Sequence, residues 1–79
     1  MRLDKYLKVS RIIKRRTVAN DACDAKHVSV NGKPQRASYE VKVGDIIEIT
    51  FGASTTRFEV LSMSEYATKE NASQMFKQL

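Results

Sequence analysis

The apolar positions change period along the chain. Leu3 and Leu7, four apart, mark one face of a short helix over about residues 3–9. Ile12 and Ile13 follow in what reads as a connecting loop, placed to plug the core from outside the helix. Val18, Ala19, Ala22 and Cys23 then line one side of a second helix over about residues 18–25, with Asn20, Asp21 and Asp24 outward. Thr17 is suited to cap that helix, because its hydroxyl can accept a first-turn backbone N–H. From Val28 the period falls to two: Val28 and Val30 flank Ser29, and Asn31-Gly32 is a strong hairpin signal. Pro34 cannot donate to a ladder, so Lys33–Arg36 is expected at an edge or in a loop. Val41 and Val43 lead into a turn at Gly44-Asp45. Ile46–Phe51 and Arg57–Leu61 read as two strands joined around Gly52-Ala53-Ser54. Ala72, Met75, Phe76 and Leu79 then recur at helical spacing, which predicts a short amphipathic helix capped by Thr68. The expected class is α+β: two N-terminal helices on a small, mainly antiparallel sheet, with a short C-terminal helix.

Charge sharpens this picture. Arg2, Lys5, Lys8, Arg11, Lys14, Arg15 and Arg16 fall within the first sixteen residues, opposed there only by Asp4. Residues 1–36 hold ten Lys/Arg and three Asp, a net of +7, whereas residues 37–79 hold four Lys/Arg and six acids, a net of −2. Such asymmetry points to a polyanion-binding face on an otherwise ordinary domain. The cationic beat of three is also structural. A helix turns about 100° per residue, so charges three apart drift about 60° backwards at each step. One straight helix would smear them around its surface; a cationic face needs a break, expected at Val9-Ser10-Arg11.

Other chemistry is excluded more easily than assigned. Seventy-nine residues make one domain with little room for an enclosed active site. One cysteine, Cys23, rules out an internal disulfide and a multi-cysteine zinc site, and is expected as a small buried core residue. No apolar run nears the roughly 18 residues of a membrane span, and the N-terminus lacks the apolar stretch of a secretion signal. The expected setting is cytoplasmic. His27, the single histidine, has no visible nucleophilic or metal-ligating companions and is expected to meet RNA or solvent. No catalytic residue, metal or cofactor is assigned. Gly32, Gly44 and Gly52 are isolated turn glycines, not a phosphate-cradling loop. Phe51 and Phe58 are assigned to the sheet core, leaving Tyr6 and Tyr39 as candidates for exposure. Without an aromatic platform, recognition is expected of phosphate and shape. Arg15-Arg16 stand at a helix start, where N–H groups favour phosphate. Asp4 is expected to serve the first helix's dipole, to orient an arginine, or to touch a protein partner.

These residues carry a resemblance. Residues 1–17, then Val28-Ser-Val-Asn-Gly-Lys and Val41-Lys-Val-Gly-Asp, resemble the S-four RNA-binding domain over about residues 1–61. That fold occurs in ribosomal proteins, pseudouridine synthases, some tRNA synthetases and heat-shock protein fifteen. The tail from Ala67 to Phe76 resembles that of the ribosome-associated quality-control P group, short relatives of heat-shock protein fifteen. The resemblance implies a non-enzymatic factor that binds obstructed large ribosomal subunits. Its implied partners are large-subunit rRNA, P-site peptidyl-tRNA and a tailing factor of the NEMF/fibronectin-binding class that adds C-terminal alanines. A ribosome-associated monomer without membrane contact is expected. A heat-shock protein fifteen-like recycling factor or a structural ribosomal protein is the alternative.

The implied nucleic-acid contacts are Arg2, Lys5, Lys8, Arg11, Lys14, Arg15, Arg16 and His27, with Arg2 and Arg16 matching the family's rRNA-contacting arginines. The expected division is an RNA-binding domain at 1–62 and a C-terminal amphipathic helix at 63–79, packed on the domain or extending it. One departure stands out: Lys26-His27 occupies the place of the family's usual Gly-Arg. Either Lys26 takes a left-handed conformation at a cost on the order of 1 kcal/mol or the helix ends differently, and His27 would make a weaker or pH-dependent RNA contact than arginine.

Overall fold

The computed structural model describes residues 1–64 and 68–79; Tyr66 and Ala67 of the tail lie outside them. Helix α1 spans Leu3–Val9 and α2 spans Arg16–Asp24. The break between them lies where the charge rhythm requires it. Ser10 closes α1, and Arg11 turns the chain with φ 63°, a left-handed conformation unusual for a residue with a Cβ. Ile13 N–H then donates to Leu7 O at 3.0 Å, and its side chain is buried under the turn.

Two features of α2 differ from expectation. The helix begins at Arg16 with Arg15 as N-cap and no side-chain cap, so Thr17 lies inside the first turn. Its buried stripe is Ala19, Ala22 and Cys23 at i, i+3, i+4; Val18, about 100° further round, is 44% exposed. The small stripe lets α2 sit close to α1.

The end of α2 shows what Lys26 does. Lys26 N–H donates to Cys23 O at 3.0 Å and His27 N–H to Ala22 O at 2.9 Å. This is a Schellman closure, with Lys26 in the left-handed position at φ 66°. Lys26→Gly should therefore stabilise the fold by about 1 kcal/mol. In thermal unfolding that is a rise in Tm of about 4–8 °C for a domain of this size; an unchanged or lower Tm would show that the strain is relieved elsewhere.

Strands β1 (Val28–Val30) and β2 (Lys33–Pro34) form the expected hairpin, with Asn31 at φ 53° and Gly32 at φ 85° as its central pair. Pro34 lies on the edge strand. Strands β3 (Ile46–Phe51) and β4 (Ser54–Val60) pair antiparallel from Ile46↔Glu59 to Phe51↔Ser54. After α3 (Lys69–Ala72) the chain enters a further strand, β5 (Phe76–Gln78). The sheet order is β2-β1-β3-β4-β5, all antiparallel.

The C-terminus therefore departs from the predicted amphipathic helix. Thr68 does cap a helix, accepting from Asn71 N–H at 3.2 Å, but α3 ends after four residues. Phe76 then pairs with Val60, and its ring meets Phe58 edge-on at 5.2 Å. An open ladder along β4 offers backbone partners that an isolated short helix lacks. Leu79, which belonged to the supposed apolar face, is 58% exposed.

The core lies between the helices and one sheet face. Leu3, Leu7, Val28, Ile47 and Val60 are fully buried, with Met75 at its C-terminal end. Tyr6, a candidate for exposure, is also fully buried; its hydroxyl donates to Met75 O at 2.8 Å. Burial pushes its phenol above the usual range. Cys23 is buried as expected, and burial with the charges of Asp4 and Asp24 pushes its thiol up to about 12, leaving it unreactive.

Candidate nucleic-acid interface

Arg2 precedes α1 and Arg16 opens α2, so the break between the helices brings two arginines fourteen positions apart to one place. Asp4 joins them. Its carboxylate accepts from Arg2 Nε at 3.1 Å, Arg16 Nε at 3.3 Å, Asn20 Nδ2 at 3.3 Å and Lys5 N–H at 2.8 Å. The Asp4 side chain is 2% exposed, whereas those of Arg2 and Arg16 are 47% and 49% exposed. Of the three expected roles, Asp4 fills two: it orients arginines, and it stands in the first turn of α1, where its charge favours the helix dipole; it is too covered to meet a partner. Burial alone would raise its pKa, but the hydrogen bonds from Asn20, Arg2, Lys5 N–H and Arg16 together hold it below the usual carboxylate range. The anion stays charged and fixes two guanidinium groups whose outer N–H donors face solvent.

Two grooves meet at Arg2. One, of about 390 Å³, is lined by Arg2, Asp4, Arg16, Thr17, Asn20 and Asp21. The other, also about 390 Å³, is lined by Arg2, Asn20, Asp24, Arg36, Ala37 and Ser38. Arg36, absent from the sequence-based set, extends the cationic path beyond Arg2. It follows the hairpin in a loop held by Ala37 N–H donating to Asp24 Oδ1 at 3.3 Å. Its only signal in the sequence was membership of the basic half.

The other candidates are spread more widely. Lys8 lies in the last turn of α1, Arg11 in the left-handed turn, Lys14 and Arg15 in the loop before α2; all are exposed. Among the described residues these four take part in no ion pair. Lys5 is half-buried. His27 lies outside both grooves, its ring stacked near Phe51 at 6.0 Å with a 29° tilt. Phe51 is 51% exposed, not the core residue expected, whereas Phe58 is buried. Tyr39 is half-buried and donates to Asp45 at 3.1 Å; burial and that bond push its phenol up. Among the described residues no cluster of His, Cys, Asp or Glu could hold a metal, and no helix is long and apolar enough to cross a membrane.

Residues 1–47, which hold both helices, the hairpin and Arg36, match the S4 domain. The chain belongs to the S4 domain family. This S4 protein is 49% identical over 77 residues to a Streptococcus pneumoniae protein named RQC P-site tRNA stabilizing factor, covering 98% of this chain and 88% of the relative. It is 43% identical over 76 residues to the Bacillus subtilis protein of that name, covering 96% and 88%. Among solved structures, Heat Shock Protein 15 of Vibrio cholerae, described as trimeric, superposes with a TM-score of 0.90 at 25% identity, covering 100% of this S4 chain and 81% of the other.

Proposed function

We propose that this protein is a ribosome-associated quality-control factor of the bacterial cytoplasm that binds the large ribosomal subunit and stabilises tRNA in the P site. The observation that carries the reading is the Arg2–Asp4–Arg16 unit, two half-exposed guanidinium groups held by one buried carboxylate. Arginines held this way present planar donor pairs to phosphate at reduced entropic cost. The names of relatives that align along nearly the whole chain support the quality-control setting. In this reading Arg2, Lys5, Lys8, Arg11, Lys14, Arg15, Arg16 and His27 face rRNA and tRNA. The factor acts without catalysis, as a monomer, beside a tailing factor of the NEMF/fibronectin-binding class that adds alanines to stalled chains. The likeness to Heat Shock Protein 15 supports a second reading, a recycling factor of that kind.

If about four phosphates are neutralised, the log–log salt dependence of binding has a slope of roughly −3 to −4. Titration of purified large subunits against the protein at increasing salt measures it. A salt-independent affinity would sink the phosphate-binding account. Enrichment on large subunits that retain peptidyl-tRNA separates the quality-control reading from a constitutive ribosomal protein, which should be present on every ribosome.

A further inference from the structure

One end of the core is left open. Ile47 and Ile49 alternate inward along β3, and by the same period Phe51 belongs on that face. Phe51 is nevertheless 51% exposed. Phe51 borders a groove of about 170 Å³ whose other lining includes Ile12, Ile13, Ile49, Ser54 and Thr56. Among the described residues no carboxylate lines it. His27 approaches Phe51 from the far end of α2, and Thr50 N–H donates to His27 O at 2.8 Å, tying the two segments together.

We infer that this groove, with Phe51 as its platform, receives one unstacked nucleobase of a bound RNA. The inference rests on the RNA-binding reading above and adds a site to it. The Phe51 ring and the three isoleucines offer apolar area for a base face, and the Ser54 and Thr56 hydroxyls offer groups for a base edge. Charge complementarity favours a nucleotide over an apolar peptide. Lys14 directly follows the groove-lining Ile12 and Ile13 in the chain, and it is exposed and, among the described residues, outside any ion pair. A base in the groove would therefore carry its phosphates towards an unneutralised cation.

The test compares a short oligoadenylate with an abasic oligomer of the same length. Wild type should prefer the base-bearing strand by about tenfold, the scale of one stacked base. Phe51→Thr, at an exposed strand position, should erase the preference, and Phe51→Tyr should keep it. The salt slope should be alike for all three, with melting curves confirming the fold. Equal affinity of wild type for both oligomers, with a normal salt slope, overturns the base site while leaving phosphate binding intact. Loss of salt-dependent binding to both overturns the RNA-binding reading itself. A preference that survives Phe51→Thr also overturns the assignment and leaves the groove to a protein side chain.

Discussion

Replacing Arg2 and Arg16 together by alanine should reduce binding to large ribosomal subunits at least about a hundredfold while leaving the protein folded. A hydrogen bond to a charged group contributes about 1.5–3 kcal/mol. Removing one such bond at each arginine costs about 3 kcal/mol or more, which is two decades in affinity. The fold should survive because both side chains are half-exposed and Asp4 keeps Asn20 and the Lys5 N–H as partners. Co-sedimentation through gradients reads the binding, and circular dichroism melting reads the fold. Unchanged co-sedimentation would remove these arginines from the interface.

Asp4→Ala should markedly lower the stability of the fold. It removes the acceptor shared by Arg2, Arg16, Asn20 and the Lys5 N–H. The expected loss is about 2 kcal/mol, a fall in Tm on the order of 10 °C for a domain this small. The pH dependence has a definite sign. Asp4 titrates below its ordinary value when folded, so its contribution is fully present above the unfolded pKa of about 3.9. It is lost as pH falls through the lower folded value. The gap in stability between wild type and variant should be constant from neutral pH down to about pH 5 and close only below about pH 4. A gap that already closes near neutrality would contradict the charged network. Asp4→Asn separates orientation from charge. It adds one unit of positive charge, so binding to arbitrary polyanions should rise, while large-subunit binding should fall because the guanidinium groups are no longer aligned. A rise in both would mean that only net charge matters.

Much of this architecture follows from local rules. The charge drift required a break, and the chain breaks at Arg11. Asn31-Gly32 forms its hairpin because both residues accept positive φ. Leu3 and Leu7 mark the buried face of α1. What escaped the sequence depends on neighbours far along the chain. The helical spacing of Ala72, Met75 and Phe76 could not reveal that β4 would offer an open edge. Phe51 has the period of a core residue yet is 51% exposed, because a strand's own pattern does not say which of its inward positions another element covers. In the interface, clustered charge pointed to the helix pair, but the position of Arg36 beside Arg2 depends on how the loop after the hairpin folds back onto α2. Asp4 looked like an exception to a cationic arm and is the residue that organises it.

The hydrogen bond from Tyr6 to Met75 has a consequence for how the protein is made. A ribosome delivers α1 first, with the cationic arm already complete in sequence. Yet the aromatic anchor of α1 acquires its acceptor only when a segment 69 residues later arrives, with β5 immediately behind it. A nascent chain that stops short of Met75 leaves the buried Tyr6 hydroxyl without its native acceptor, so the packing beneath the cationic arm is completed only after that residue has been made.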